Sequence, residues 1–83
     1  MKVSQFEGAK NQFEIEDNDG NVFFQSYNSM IAMVSFDGKI YLDSYYWDYS
    51  KTTSKYRNRF LNMTTKEIKE AIKEGKITLT NLN

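Results

Sequence analysis

The sequence contains no cysteine, no histidine and no proline. Without cysteine the chain can form neither a disulfide bond nor a thiolate metal site, so its stability must come from packing. Without histidine it lacks the usual general base and the commonest metal ligand of proteins. We therefore expect neither a metal ion nor a cofactor.

The chain also lacks a long apolar segment. No run approaches the roughly 20 apolar residues that a transmembrane helix needs, and an acid, Glu7, stands where the apolar core of a signal peptide would begin. We expect no membrane partner and a cytoplasmic location. A chain of 83 residues that is 40% hydrophobic and 27% charged is typical of a single folded domain, which we place at residues 1–83.

The formal net charge is zero, but the charges are unevenly distributed. Residues 1–48, the first half, contain eight acids and three basic residues, whereas residues 49–83, the second half, contain eight basic residues and three acids. Two interpretations stay open. Either the halves attract each other within the fold, or each presents its charge to a partner.

Strand patterns separated by turn residues dominate the first half. Four segments show these patterns, and they lie at residues 13–16, 22–26, 30–36 and 39–42. Asp19-Gly20 and Asp37-Gly38 are typical of tight turns, because glycine adopts the positive φ that such turns require. Residues 13–42 therefore predict a four-stranded antiparallel meander. Residues 1–10 form either an arm or a short first strand.

Helical signals begin after residue 50, where hydroxyl side chains precede apolar residues at i, i+4 and i+7. A second helix is predicted from Thr64, which fits a capping box with Glu67, to a C-terminal cap at Gly75. Residues 77–80 alternate again and predict a last strand. The chain therefore belongs to the α+β class, with an antiparallel sheet of four to five strands, two short helices and the order β-β-β-β-α-α-β.

Residues 45–49 contain four aromatic side chains in five positions. Neighbouring side chains of a strand point to opposite faces, so these rings cannot all enter one core. We expect Trp47 to be buried and Tyr45 or Tyr46 to be exposed, unless all of them pack against the helices. Tyrosine is common in interface hot spots, and flanking acids would suit a basic partner. The candidate partner-binding residues are Tyr45, Tyr46, Tyr49, Asp43 and Asp48.

A basic segment follows directly. Residues 50–66 contain five basic residues and no acid, and Lys51, Lys55 and Arg59 share one helical stripe while Arg57 lies on another face. Such a stripe can bind phosphates or acidic side chains, with help from hydroxyls at the helix start. The alternative is a solvated helix face. The candidate nucleic-acid or anion-binding residues are Lys51, Lys55, Arg57, Arg59, Thr52 and Thr53.

Signals for catalysis and metal binding are weak. Ser50-Lys51 and Ser54-Lys55 are adjacent pairs, but neighbours on a helix do not face each other. Asp17–Gly20 resembles part of a calcium loop, yet the aligned ligand positions carry Ile15 and Ser26, which cannot supply the required carboxylates. We therefore expect no enzymatic activity.

Three segments resemble a family of small uncharacterised phage and mobile-element proteins. They are Ser26–Ala32, Trp47–Lys55 and Phe60-Leu61, and the stretch Tyr49–Lys55, with the pattern Tyr-Ser-x-Thr-Thr-x-Lys, is the distinctive one. Tyr56 stands where such proteins carry a histidine. The resemblance implies a phage origin. Because small phage proteins commonly block host machines, it also implies an anti-defence role such as that of an anti-CRISPR.

Three functional hypotheses follow. The first is a non-enzymatic phage-type inhibitor or accessory protein that binds a host protein or nucleoprotein in the bacterial cytoplasm. The second is a small nucleic-acid-binding module that uses the basic helix 51–59. The third is a homo-oligomeric structural protein held together by the aromatic segment 45–49.

Overall fold

The computed structural model describes residues 1–6 and 8–83. Glu7, one of the acids of the first half, lies outside the described residues. The described residues form an α+β fold, which confirms the predicted class. Its elements are β1 (Lys2–Gln5), β2 (Gln12–Glu16), β3 (Val22–Ser26), β4 (Ser29–Val34), β5 (Ile40–Asp43), α1 (Lys51–Leu61), α2 (Thr65–Lys73) and β6 (Ile77–Thr80).

The described strands form one sheet in the order β1-β2-β3-β4-β5-β6. Neighbours from β1 to β5 are antiparallel, but β5 and β6 are parallel. Of the two alternatives for the N-terminal segment, the short first strand is confirmed. The predicted sheet is corrected in two respects, since it has six strands rather than four to five and is mixed rather than antiparallel. Residues 44–76 are long enough to form the crossover that parallel pairing requires.

The β2–β3 hairpin confirms the turn predicted from Asp-Gly. One carboxylate oxygen of Asp17 accepts hydrogen bonds from the backbone N–H groups of Asp19 and Asn21, each at 2.9 Å. Gly20 completes the turn with a φ of 87°, a conformation that costs glycine little because it has no Cβ. The local chemistry of the turn therefore sets the register of β2 against β3.

The helices cover one face of the sheet. Phe24, Ala32 and Leu42 lie in register on neighbouring strands and are fully buried beneath the helices. The ring of Phe24 stacks on Phe60 of α1 at 5.8 Å and meets Phe6 edge-on at 5.6 Å. The buried apolar core comprises Phe24, Ile31, Ala32, Leu42, Ile68, Ala71 and Ile77.

Both helices begin at side-chain caps. Ser50 caps α1 by accepting a hydrogen bond from the Thr53 N–H at 3.1 Å. We expected the capping residue among the hydroxyl side chains that follow residue 50, and it lies just before them. Thr64 and Glu67 form the predicted capping box of α2. Within the described residues, neither helix has the length and apolar character that crossing a membrane requires.

Candidate functional site

The aromatic segment leaves the sheet immediately after β5. Residues 44–48 form consecutive turns, so the strand alternation from which we expected buried and exposed rings does not apply. Tyr45 and Tyr49 are 68% and 63% exposed. Tyr46 lies between them and meets both rings edge-on, at 4.7 and 5.5 Å between ring centroids. Trp47 is half-buried and packs against the core rather than lying fully inside it.

Asp43 holds these turns in place. Its carboxylate accepts hydrogen bonds from the backbone N–H groups of Tyr45 and Tyr46 at 3.1 and 2.8 Å, and from Leu82 N–H and the Asn83 amide at 2.8 and 3.0 Å. Burial alone would raise the pKa of Asp43, but these hydrogen bonds outweigh it and hold the pKa below its usual value. Asp43 is only 2% exposed. The prediction that Asp43 binds a basic partner is therefore corrected, because its buried carboxylate is engaged in holding the turns and the C-terminal segment.

The tyrosines face the β3–β4 turn across a groove of about 390 Å³. Aromatic, hydroxyl and amide groups line it, and its described lining contains no charged side chain. The groove can therefore accept an uncharged group and form hydrogen bonds to it. We call it the tyrosine groove, and its lining residues are Ser26, Tyr27, Asn28, Ser29, Ile31, Tyr46, Tyr49 and Thr53.

A buried hydroxyl network forms one wall of the tyrosine groove. The hydroxyls of Ser26 and Thr53 lie 3.0 Å apart, and Ser50 donates to the Thr53 hydroxyl at 3.0 Å. Both Ser26 and Thr53 are buried. Thr53 therefore fixes α1 against β3 and does not offer a donor to an exposed anion, whereas Thr52 remains exposed.

Tyr27 is a groove residue that the sequence analysis missed. Its φ of 56° lies in the left-handed region, which is uncommon for a bulky residue. Two hydrogen bonds to its backbone hold it there, since Tyr27 N–H donates to Asn11 O at 2.7 Å and the side-chain amide of Gln25 donates to Tyr27 O at 2.7 Å. The available signal was its place in Ser26–Ala32, one of the segments with the phage-protein resemblance.

The predicted stripe on α1 is exposed and consists of Lys51, Lys55 and Arg59. We call it the basic stripe. Tyr56 lies among these cations, with Lys55 Nζ 5.5 Å and Arg59 Cζ 5.4 Å from its ring centroid. Within residues 1–6 and 8–83, no carboxylate lies at ion-pair distance from the stripe. The stripe is therefore a positively charged surface partly ordered by cation–π contacts.

Arg57 does not belong to this surface, because it is 0% exposed. Its guanidinium donates to Trp47 O, to the Asn58 side chain and to the Thr65 hydroxyl, the last at 3.0 Å. It also lies 3.5 Å from a carboxylate oxygen of Asp48. Burial lowers the pKa of Arg57, and Asp48 opposes that shift. Arg57 thus connects the aromatic turns to both helices, and the prediction that it binds nucleic acid is corrected.

The ion pairs do not support internal attraction between the oppositely charged halves. Among the described residues, only Arg57–Asp48 joins the first half to the second. The other two pairs are local, Lys39 with Asp37 at 3.9 Å and Lys76 with Glu74 at 3.7 Å. Apart from the buried Asp43 and Arg57, the charged side chains of the described residues are at least partly exposed.

Residues 1–77 match a family of unknown function, DUF8033. The chain belongs to this family. The matched residues include both sides of the tyrosine groove and every element up to the start of β6. Comparisons with curated proteins and with solved structures give no match. A functional assignment therefore rests on the geometry of the site.

Proposed function

We propose that this protein is a non-enzymatic binding module that docks on another protein through the tyrosine groove. The observation that carries the proposal is the exposure of Tyr27 and Tyr49 in the lining of an uncharged cavity, with the exposed Tyr45 in edge-on contact with Tyr46 of the same lining. Tyrosine rings bury a large area on binding while their hydroxyls remain able to form hydrogen bonds. A cluster of such rings at the mouth of a groove is typical of a docking surface.

The groove is ordered without a partner. Asp43 fixes the turns that carry Tyr45 and Tyr46, and the Ser26–Thr53 hydrogen bond fixes the opposite wall. Tyr46 also restrains its two neighbouring rings through edge-on contacts. Binding therefore orders few additional side chains, which lowers its entropic cost.

The lining indicates which part of a partner would enter. Ile31 and the tyrosine rings favour an uncharged, apolar or aromatic side chain, while Asn28 and Ser29 offer hydrogen bonds to the partner's backbone. Asp48 remains half-exposed beside Tyr49 and favours a basic residue nearby. We infer an exposed loop that inserts one large uncharged side chain next to a lysine or arginine.

We further propose that the partner is a host protein or nucleoprotein and that binding blocks it, as an anti-CRISPR or other anti-defence protein would. Support comes from the resemblance of Ser26–Ala32 and Trp47–Lys55 to phage and mobile-element proteins. These two segments meet at the tyrosine groove. The site of action would be the bacterial cytoplasm, and a sequence without histidine or cysteine favours blocking over catalysis.

The test is capture of a partner from a bacterial host lysate, followed by affinity measurement with the purified partner. We expect Tyr45→Ala/Tyr49→Ala to weaken binding at least about tenfold, since hot-spot tyrosines carry much of an interface's affinity. Phe36→Ala is the matched control, because Phe36 is an aromatic residue, 76% exposed, in the distant β4–β5 turn. It should leave the affinity unchanged.

Two results would contradict the proposal. One is the absence of any specific partner together with no effect on nuclease interference in the host. The other is a partner that the tyrosine variant and the Phe36 control bind equally well. Circular dichroism of each variant establishes that the fold is retained.

A second candidate function is nucleic-acid binding through the basic stripe. The observation in its favour is the alignment of Lys51, Lys55 and Arg59, which are all exposed on one face of α1. Three phosphate contacts would give modest affinity with a log–log salt slope of about −3. This candidate and the tyrosine groove are compatible if the partner is a nucleoprotein.

Fluorescence anisotropy with labelled DNA and RNA tests the second candidate. Lys55→Glu/Arg59→Glu should abolish binding, whereas Lys69→Glu/Lys73→Glu, an equal charge change on exposed positions of α2, should weaken it only slightly. Binding that is absent at low salt, or that both variants reduce equally, would rule out a specific role for the stripe.

A further inference from the structure

The sheet face opposite the helices carries an unusual apolar row. Residues paired in register across all described strands point to the same face, and this row comprises Val3, Ile15, Phe23, Met33, Tyr41 and Thr78. A second, shorter row lies beside it and comprises Gln5, Phe13, Gln25 and Met30. We call these two rows the open face. An antiparallel sheet whose second face is only solvated usually presents polar residues there.

No described element covers the open face. None of its residues belongs to the buried core or to the partly buried residues packed against that core. Its central apolar residues are half-exposed, and Val3 at the edge is 60% exposed. An uncovered apolar surface of this extent marks an interaction site.

The chemistry of the open face restricts its partner. Neither row contains a charged side chain, and the β2–β3 and β4–β5 turns at the hairpin end carry Asp17, Asp37 and Lys39. Nucleic acid needs cations beside aromatic rings, and a charged peptide needs complementary charges. A second copy of this chain meets neither obstacle, because two neutral faces bring no like charges together.

We propose that two copies of the protein pack face to face through the open face. The helices would lie outside, and the two sheets would form a sandwich with about 10 Å between them. Six strands of four to six residues, at about 3.3 Å per residue and about 4.8 Å spacing, give roughly 450 Å² per copy. The total of roughly 900 Å² is in the range of weak, reversible interfaces. Phe23 and Met33, on the two central strands, would lie near the two-fold axis.

This dimer goes beyond the proposed function and leaves the tyrosine groove free. The groove is walled by Ser26 and by Thr53 of α1, which lie on the helix-covered side of the sheet. Each copy would therefore present its own groove, and the pair would bind a repetitive or two-fold symmetric partner with the added affinity of two linked sites.

Sedimentation equilibrium between about 1 µM and 1 mM tests the dimer over the range of weak to moderate affinities. We expect the mass to rise from 9.8 kDa toward twice that value. Met33→Lys and Met33→Glu should each weaken self-association at least about tenfold, because like charges meet near the axis. Mixing the two variants should restore pairing. Phe36→Lys, outside both rows, is the control and should dimerise normally.

A wild-type chain that stays monomeric up to about 1 mM would overturn the proposal. So would folded Met33 variants that dimerise as the wild type does. If the Met33 variants do not fold, Val3→Lys provides the same test at an exposed position. Tyr45→Ala/Tyr49→Ala should leave the dimer intact. Loss of the dimer in that variant would place the interface at the aromatic turns instead.

Discussion

Burial gives a structural role to polar residues that the sequence suggested as binding groups. The examples are Asp43, Thr53 and Arg57. Asp43 accepts hydrogen bonds from the turns and the C-terminal segment, and Thr53 joins α1 to β3. Arg57 donates to groups on three different segments. A buried polar side chain must be hydrogen-bonded to be tolerated. These three side chains thus hold the elements around the tyrosine groove in place.

Asp43→Asn should lower the free energy of unfolding at pH 7 by about 2 kcal/mol, because an amide cannot accept all the hydrogen bonds that the carboxylate accepts. The folded pKa of Asp43 lies below its unfolded value. Its stabilisation is therefore present above about pH 4 and is lost as the pH falls through the folded pKa. Urea unfolding at about pH 7 and pH 3 should show a smaller difference between variant and wild type at the lower pH.

Asp19→Asn is the control for this measurement, since Asp19 is an exposed turn residue. Its stability should follow that of the wild type at both pH values. A difference between Asp43→Asn and wild type that does not depend on pH would contradict a role for the ionised carboxylate.

Arg57→Met should destabilise the fold by about 2 kcal/mol, because it removes the donors to Trp47 O, Asn58 and Thr65 while keeping an apolar stem. Arg59→Met, two residues along the same helix, removes an exposed guanidinium and should cost less than about 1 kcal/mol. Thermal and urea unfolding of both variants provide the comparison. Equal losses would show that Arg57 acts as a surface charge.

At the scale of the elements, local chemistry defines the ends of both helices. Ser50 caps α1, and the reciprocal bonds of Thr64 and Glu67 cap α2. The apolar positions that recur along α1 and α2 then pack on the core. Caps and helical periodicity act within one turn of chain, which is why they could be identified from the sequence.

Thr64→Ala should lower stability by about 1 kcal/mol, because the first turn of α2 loses its side-chain acceptor. Thr52→Ala replaces an exposed threonine inside the first turn of α1 and should change stability by less than about 0.5 kcal/mol. Urea unfolding monitored by far-ultraviolet circular dichroism measures both. A Thr64 variant as stable as the Thr52 control would show that the capping box contributes nothing.

The two helices together determine the direction in which β6 runs. The crossover of residues 44–76 carries the chain across the sheet, so β6 enters beside β5 in the same direction. Alternation in residues 77–80 predicts a strand but contains no information on its direction. The same holds for β1, which pairs with β2 although its own sequence is weakly patterned.

At the scale of the whole molecule, the two charged halves are not neutralised against each other, since Arg57–Asp48 is the single ion pair between them among the described residues. The exposed basic stripe and two uncharged surfaces, the tyrosine groove and the open face, therefore belong to one small domain.

The net charge should stay nearly constant between about pH 6 and 8, because the chain has no histidine. The structure moves the carboxyl pKa values of Asp17, Asp37, Asp43 and Glu67 further below this range. A potentiometric titration should therefore record no more than about one proton exchanged in this interval. Exchange of several protons would contradict the prediction. Any change in partner binding over the interval would then originate in the partner.

The sequence by itself determined the elements whose signals are local. The Asp-Gly turns, the capping box of α2, the strands and the apolar helix faces lie close to where their patterns predicted, because the hydrogen bonds and periodicities that specify them span only a few residues. The exception is the strand predicted at residues 30–36, which ends at Val34 and leaves Phe36 in the following turn. The exposed positions of Lys51, Lys55 and Arg59 followed from helical spacing in the same way.

Only the tertiary structure decided which polar and aromatic residues are available to a partner. Arg57 and Arg59 are the same type of residue, as are Asp43 and Asp48, yet one member of each pair is buried. The tyrosine groove joins residues about 20 positions apart, Tyr27 and Tyr46, which no local pattern relates. Burial and long-range contact depend on how the crossover places α1 and the aromatic turns against β3 and β4, and that placement is a property of the folded chain as a whole.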